Sequence, residues 1–124
     1  MRNLRTVNLC ISHIDDLQDA TPEQRDQLLG QAYFFRAWNY FEIIRRWGGM
    51  FKFDKVFLSD DDMDFPRLSY HESTDWLGSG LELAYQLLPE KWGASEKGRV
   101  TKAAALALKS MALLYSGSPS MCPE

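Results

Sequence analysis

The sequence predicts an all-α fold in which four main helices form two antiparallel hairpins. Three observations predict it: apolar residues recur at helical spacing, two helix starts carry a capping-box pattern, and one helix repeats the pattern of another. We expect helices near residues 2–17, 22–47, 70–88 and 101–116, with one long irregular loop, in a single domain that spans residues 1–124. The second and fourth helices are expected to be the most buried.

The first helix is predicted from a single apolar stripe. Its members follow one another at spacings of three and four residues: Leu4, Val7, Ile11, Ile14 and Leu17. A polar connector leads from this helix into the second, and a link that short implies an antiparallel hairpin.

The second helix is predicted to be the centre of the fold. Residues 28–49 read LLGQAYFFRAWNYFEIIRRWGG, in which aromatic and aliphatic residues point in every direction around a helical wheel. A helix that is apolar all round is covered on more than one face. Thr21 and Gln24 form the capping box at its start, and Gly48 and Gly49 end it.

The connection after this helix is long and has no helical pattern. Residues 50–68 read MFKFDKVFLSDDDMDFPRL. Structureless connections of this length are uncommon in compact domains, and this one is too apolar for free solvent. We expect it to pack against protein that is not included in residues 1–124.

Two further helices follow the loop. Ser69 and Glu72 form the second capping-box pattern, and Pro89 ends the helix that begins there. Its buried stripe is expected to comprise Trp76, Leu77, Leu81, Ala84, Tyr85 and Leu88. Thr101 is the expected N-cap of the fourth helix, which runs to about Ser116.

An internal repeat relates the second helix to the fourth. At an offset of 73 residues, Arg36 aligns with Lys109. The other matched pairs are Ala32 with Ala105, Phe35 with Leu108, Ala37 with Ser110, Trp38 with Met111, and Phe41 with Leu114. Two hairpins stacked in this way resemble tetratricopeptide-type repeats, which build an alpha-alpha superhelix.

Composition and charge exclude several classes of protein. A net charge of −3 argues against nucleic-acid binding, because a polyanion requires a basic surface. No stretch approaches the roughly 18 continuous apolar residues of a membrane span, and the first residues lack the apolar centre of a signal peptide. We expect Cys10 and Cys122 to be a core thiol and a tail thiol rather than a disulfide.

The polar residues give no support for catalysis or for a bound metal or cofactor. His13 and His71 have no partner in a recognisable catalytic motif. A cluster of aspartates in the loop offers carboxylate ligands, namely Asp60, Asp61, Asp62 and Asp64. The glycine and the closing glutamate of an EF-hand loop are lacking, so a solvated acidic loop is favoured over a calcium site.

Two residues stand out from their surroundings. Arg36 is a cation within an apolar helix, and we expect a structural ion pair because a buried charge needs a partner. The candidate partners are Glu82, Glu42 and the pair Asp15 and Asp16. Trp92 lies in a polar turn, where an indole can stack on a sugar ring or cap a hydrophobic edge. It is the one candidate ligand-binding residue.

Three stretches of the chain resemble the SusD/RagB family. The first carries Gly30, Ala32, Arg36-Ala37, Tyr40-Phe41 and Gly48-Gly49 in the order of a family motif. The second, residues 65–89, reads FPRLSYHESTDWLGSGLELAYQLLP, and the third, residues 98–119, reads GRVTKAAALALKSMALLYSGSP. These are similar to the family's Pro-Arg to Leu-Pro segment and to its Gly-Arg-Val-Thr-Lys run. The resemblance covers an early part of a protein that is several times longer.

This resemblance implies a lipid-anchored, surface-exposed outer-membrane protein of Gram-negative bacteria that binds glycan without catalysing a reaction. Such proteins lie as a lid on a TonB-dependent SusC-like transporter, and their tetratricopeptide-like helices carry the ligand-binding loops. Some positions depart from the family pattern. Gln31 stands where the family usually has Glu, and Met50-Phe51 stand where it has Val-Pro. Cys10 lacks the lead-in of a lipid-attachment cysteine.

Two functional classes are therefore consistent with the sequence. The first is a glycan-binding scaffold associated with a transporter, which the three motifs favour. The second is a helical-repeat module for protein–protein interaction without sugar binding, which the hairpin repeat and the apolar loop favour. For the 124 residues alone we expect weak or no oligosaccharide binding and a tendency to self-associate.

Overall fold

A computed structural model describes residues 2–58, 60–61 and 64–121 of the protein. Its main helices are α1 (Arg2–Ser12), α2 (Pro22–Trp47), α3 (Tyr70–Leu87) and α4 (Lys102–Ser116). Short 3-10 turns occur at Ile14–Asp16 and Ala94–Glu96. The described residues contain no strand, and the prediction of an all-α fold with four main helices is confirmed.

The first helix is shorter than its apolar stripe predicts. It ends at Ser12, and the carbonyl of Leu9 accepts both the backbone N–H of His13 at 3.2 Å and the hydroxyl of Ser12 at 3.0 Å. The chain then forms the separate turn that buries Ile14, while Leu17 is 40% exposed. The predicted extent of residues 2–17 was therefore wrong at its C-terminal end.

Both predicted capping boxes are formed. In α2 the Thr21 hydroxyl accepts from the backbone N–H of Gln24, and the Gln24 side chain accepts from the backbone N–H of Thr21. In α3, Ser69 and Glu72 exchange the same two bonds. Thr101 precedes α4 as predicted, but its side chain makes no capping bond.

Contacts between helix ends show that successive helices are antiparallel. Gly30, near the start of α2, lies against Leu87 at the end of α3. His71, near the start of α3, lies with Nδ1 2.7 Å from the hydroxyl of Ser116 at the end of α4. The start of α1 and the C-terminal half of α2 line one small cavity. Since α3 packs against both α2 and α4, it is the inner helix of the second hairpin.

The core lies between α2 and α3 and extends to one side of α1 and α4. Its largest fully buried side chains are Tyr40, Phe41, Leu4, Ile44, Leu77, Leu81, Leu88 and Leu108. In contrast, Leu113 and Leu114 of α4 are 53% and 74% exposed. The prediction that α4 would be among the most buried helices was wrong, because α3 packs between two helices whereas α4 packs mainly on α3. Trp38 of α2 is 40% exposed.

The burial pattern shifts the register of the internal repeat. At the predicted offset of 73, Phe41 is completely buried whereas its match Leu114 lies mostly in solvent. An offset of 71 instead pairs buried with buried residues, namely Phe34 with Ala105, Ala37 with Leu108, and Phe41 with Ala112. Small residues in α4 thus take the inward positions that large residues occupy in α2.

The connection between α2 and α3 packs on this chain itself, so the prediction that it docks on other protein was wrong. We call residues 50–68 the phenylalanine loop, after a cluster of rings formed by Phe51, Phe53, Phe57 and Phe65 with centroids 4.4 to 6.2 Å apart. The amide of Asn8 in α1 donates to the carbonyls of Phe53 and Lys55 at 3.0 and 2.8 Å. Arg5 donates to the carbonyl of Phe57. The loop therefore covers α1 and the core.

The two ends of this loop meet. Arg67 donates from Nε to the carbonyl of Gly49 at 2.6 Å and from Nη2 to the carbonyl of Trp47. A Cβ on Gly49 would overlap the carbonyl oxygen of Leu68, so glycine allows the outgoing and returning chains to touch. Gly48 has φ of +80°, which also favours glycine. The exit from α2 and the entry to α3 are thereby fixed together.

Candidate functional site

A shallow groove of about 340 Å³ lies beside α3. We call it the Trp76 groove, and its lining residues are Lys52, Leu68, Glu72, Asp75, Trp76 and Ser79. Four of these belong to α3 at positions i, i+3, i+4 and i+7, so the helical period places them on one face. Lys52 and Leu68 come from the two ends of the phenylalanine loop, which form the opposite wall.

The capping box of α3 fixes the end of the groove that lies at the N-terminus of this helix. The carboxylate of Glu72 accepts from the backbone N–H and from the hydroxyl of Ser69, each at 2.8 Å. These bonds to Ser69 lower the pKa of Glu72, and the nearby Lys52 ammonium lowers it further. Glu72 is therefore ionised at neutral pH and held in one position.

The ring of Trp76 packs against the ring of Tyr40 in α2. The two ring centroids are 4.6 Å apart and the rings cross at 68°, which is an edge-to-face contact. Tyr40 is completely buried and donates from its hydroxyl to the carbonyl of Met50 at 2.8 Å. Burial raises the pKa of Tyr40, which keeps the hydroxyl protonated as a donor. Trp76 thus rests on a rigid base.

Arg36 lies at the side of Trp76 and is paired with rings. Its guanidinium carbon is 4.9 Å from the ring centroid of Tyr33 and 5.4 Å from that of Trp76. Both distances are within the range of a cation–π contact. Burial lowers the pKa of Arg36, and the field of Tyr33 and Asp54 acts in the opposite direction. A guanidinium stays charged in either case.

The predicted ion pair of Arg36 is wrong, because each candidate partner that forms a bond is engaged elsewhere. Glu82 pairs with Lys109. Glu42 pairs with Arg45 and Arg46, each at 3.0 Å. Asp16 lies 2.8 Å from His13, and no ion pair joins Arg36 to any residue that the structure describes. The planar guanidinium instead obtains its stabilisation from two aromatic faces.

Trp92, the candidate ligand-binding residue, is half-buried beside the start of α4. Its indole N–H donates to the carbonyl of Val100 at 2.7 Å, and the guanidinium carbon of Arg99 lies 5.2 Å from the ring centroid. The indole is therefore anchored in the turn before α4, and its N–H is already used. Its role in sugar binding stays a prediction.

The remaining candidates are distributed over distant parts of the structure. Asp61 accepts from the backbone N–H of Leu58 and lies 3.7 Å from Lys55, while Asp62 is outside the described residues. Within the described ranges, no group of three or more His, Cys, Asp or Glu side chains is arranged to hold a metal ion. Cys10 is exposed, not in the core as predicted, and Cys122 lies outside the described residues.

One contact that the sequence did not predict joins His71 to Ser116. Although a histidine beside a serine hydroxyl is the beginning of a nucleophilic arrangement, Ser116 is only 7% exposed. The bond ties the start of α3 to the end of α4. We therefore assign it a structural role.

Sequence reasoning also missed the Trp76 groove. Trp76 was assigned to the buried stripe of its helix, although Glu72, Asp75 and Ser79 stand at helical spacing around it. A polar pattern at i, i+3 and i+7 on either side of an aromatic residue was the available signal. The opposite wall of the groove belongs to the phenylalanine loop. That wall could not be predicted because the position of the loop was predicted wrongly.

A separate structural finding concerns the membrane. Among the described residues, no helix combines the length and the apolar character that crossing a bilayer requires.

The antiparallel hairpins define a helical-repeat scaffold that carries a surface groove. A family model described as "Starch-binding associating with outer membrane" matches residues 2–114, which is most of the chain. The chain belongs to this SusD-like family, and the resemblance found in its three motifs is confirmed.

Individual relatives agree with this assignment. A "SusD-like protein P38" from Formosa agariphila is 35% identical over 110 residues, which are 88% of this chain and 20% of that protein. A crystal structure of a SusD-like protein from Bacteroides fragilis matches with a TM-score of 0.79 and 37% identity, over 89% of this chain and 22% of the other. A "Laminarin binding SusD-like protein" matches over 92% of this chain and 24% of the other, with a TM-score of 0.81 and 18% identity, which shows the fold alone. The chain thus spans about a fifth of the length of its relatives.

Proposed function

We propose that this chain is part of the helical scaffold of a non-catalytic glycan-binding protein of the SusD type. The observation that carries the proposal is the family match over residues 2–114, whose description names starch binding and the outer membrane. The laminarin-binding relative supports glycan as the ligand class. The structure is compatible with binding because it combines a rigid helical framework with exposed polar groups around an aromatic side chain.

The partner in this proposal is a TonB-dependent SusC-like transporter of the outer membrane. The scaffold would lie on the transporter at the cell surface and hold captured glycan above it during carbohydrate uptake. The family's description as associating with the outer membrane supports this location. Co-purification of the tagged full-length protein from detergent-extracted outer membranes tests it, with the transporter identified by mass spectrometry. Recovery of the protein without any TonB-dependent transporter would contradict the partnership.

The chain by itself is expected to bind oligosaccharide weakly. The Trp76 groove is shallow, and the relatives build their whole proteins from about five times as many residues. A millimolar dissociation constant requires about 4 kcal/mol, which one aromatic contact of about 1 kcal/mol does not supply. Calorimetric titration with maltohexaose and laminarihexaose measures the affinity. Saturable binding much tighter than about millimolar, lost in Trp92→Ala, would show that Trp92 and not the groove dominates.

A second candidate function is a helical-repeat module for protein–protein interaction. The observation that favours it is the apolar outer side of α4, where Leu106, Leu113 and Leu114 are 51%, 53% and 74% exposed. Exposed apolar patches of this kind favour association. Sedimentation velocity at increasing concentration should show self-association that Leu114→Glu reduces. If the chain is strictly monomeric and the glycan-binding tests are positive, the second function is contradicted and only the first remains.

A further inference from the structure

We propose that the Trp76 groove is a contact site for one unit of an uncharged sugar chain. This inference rests on the proposed glycan-binding function and assigns it a place on the chain.

The groove has the size and the opening of a site for a single ring. Its volume of about 340 Å³ is at the lower end of the roughly 300–1,000 Å³ found for small-molecule sites. Trp76 also lines a separate small notch, together with Arg36 and Gly80. At Gly80 no heavy atom lies within 4 Å of the position that a Cβ would occupy, so the notch is open at that point.

The groove presents both donors and acceptors that this chain does not use. The carboxylate of Asp75 and the ammonium of Lys52 both line the groove, and neither makes a hydrogen bond or ion pair within the described part of the chain. Ser79 donates to the carbonyl of Asp75 at 3.0 Å and still has lone pairs to accept.

These groups suit the hydroxyls of a sugar. A carboxylate can accept from two neighbouring hydroxyls at once, and an ammonium can donate to others. The exposed part of the Trp76 indole offers an apolar surface for the C–H groups of the same ring. Because Asp75, Trp76 and Ser79 line the same groove, one ring can contact all three.

The charge of the groove favours an uncharged sugar over an acidic one. Lys52 contributes one positive charge to the lining, while Glu72 and Asp75 contribute two negative charges. A uronate or a sulfated sugar would therefore meet a site without excess positive charge, whereas a neutral hydroxyl group can use donors and acceptors alike.

The test follows the four tryptophan indole N–H signals of the chain by nuclear magnetic resonance during titration. Maltohexaose and laminarihexaose are the neutral probes, and an oligogalacturonate of the same length is the acidic probe. We expect a saturable shift of the Trp76 signal with at least one neutral probe, with a dissociation constant in the millimolar range. The signal of Trp47, which is 71% exposed and lines a different cavity, is the internal control and should stay unchanged.

Three variants test whether the sugar binds in the Trp76 groove, and none of them removes a buried ring. Asp75→Asn keeps the shape of the side chain but loses its charge, and we expect about tenfold weaker binding. Asp26→Asn, an exposed aspartate on α2 outside the groove, is the matched control and should bind as the parent chain does. Trp76→Phe retains a ring on Tyr40 and should weaken binding while the chain stays folded.

Three outcomes would overturn the inference. The first is the absence of a Trp76 shift with either neutral probe at a concentration of about 10 mM. The second is an equal shift of the Trp76 and Trp47 signals. The third is tighter binding of the acidic probe than of the neutral probes. If glycan shifts the Trp92 signal instead, glycan binding stands and its placement in the groove fails. If the full-length protein binds no glycan in calorimetry, the proposed function itself fails.

Discussion

The guanidinium of Arg36 lies across the indole of Trp76, with 5.4 Å between the guanidinium carbon and the ring centroid. This contact joins α2 to α3 at the edge of the core, where the sequence led us to expect an ion pair. A cation between rings leaves no carboxylate unpaired when it is removed. The energetic consequences of mutation therefore differ from those of a buried salt bridge.

The first prediction concerns Arg36. We expect Arg36→Leu to lower the free energy of unfolding by about 0.5–2 kcal/mol, because two cation–π contacts are lost while an apolar side chain still packs. Arg36→Lys should restore only part of this, since an ammonium does not stack as a plane. Urea denaturation measures both. Arg46→Leu, at a side chain that is 62% exposed, is the control and should change stability by less than about 0.5 kcal/mol. A loss of about 3–5 kcal/mol for Arg36→Leu would indicate a hidden ion pair.

The second prediction concerns the bonds of Arg67 to Gly49 and Trp47. Arg67→Lys should leave the fold intact but loosen the ends of the phenylalanine loop, because a single ammonium does not reproduce two bonds from a planar group. Limited proteolysis should then cut within residues 50–68 at least several times faster. Arg25→Lys is the matched control, since Arg25 donates twice to the carbonyl of Leu17 far from the loop. Equal cleavage rates in both variants would exclude a special role for Arg67.

A third prediction compares two glycines. Gly49→Ala should strongly destabilise the chain, because a Cβ there overlaps the carbonyl oxygen of Leu68 and the returning backbone must move. Gly80→Ala should stabilise it by up to about 1 kcal/mol, since its surroundings are open and alanine favours the helix. Thermal and urea unfolding of both variants, measured side by side, provide the test. The prediction does not survive if alanine at position 49 is tolerated as well as at position 80.

The fourth prediction concerns acid stability and the two capping boxes. The folded-state pKa of Glu72 lies below the ordinary glutamate value of roughly 4.3. A lowered pKa means that the stabilisation is complete above the ordinary value and is lost as the pH falls through the folded value. Unfolding free energy should thus fall below roughly pH 4.3, and Glu72→Gln should reduce this dependence.

The α2 capping box supplies the control for this experiment. Gln24 occupies the place that Glu72 has in α3, and an amide does not titrate in this range. Gln24→Glu should therefore add an acid-sensitive contribution at the start of α2. Denaturant unfolding between pH 3 and pH 6 measures all three chains. If the unfolding free energy of the parent chain and that of Glu72→Gln depend on pH with the same slope, Glu72 does not cause the acid sensitivity.

Sequence patterns predicted those parts of the fold that depend on neighbouring residues. Capping boxes are local, since the side chains of Thr21 and Ser69 bond residues only three positions away, and both were predicted correctly. The four helices were likewise evident from their periodicity. The early end of α1 was missed because the apolar stripe continues beyond it, with Ile14 buried in the separate turn that follows.

Features that depend on distant residues could not be predicted. The phenylalanine loop is fixed by a hydrogen bond from Asn8 to the carbonyl of Phe53, which lies 45 positions later in the chain. No local sequence pattern predicts a bond over that separation. Arg36 stacks on Trp76 across two helices, so its sequence neighbours gave the wrong kind of partner. The Trp76 groove combines both cases, since one wall is a helix face and the other is that loop.

The meeting of the loop's two ends also affects how this scaffold can diversify. Because Arg67 bonds the carbonyl of Gly49, the chain leaves and re-enters the helical framework at nearly one point. A segment inserted between such ends need not displace α2 or α3, and each doubling of its length costs only about 0.6 kcal/mol of closure entropy. The intervening residues can thus be exchanged, provided that an apolar side chain still fills the place of the buried Phe53 and that backbone carbonyls still accept the bonds from Asn8 and Arg5. Evolution or a designer can graft new surfaces there on an unchanged set of helices.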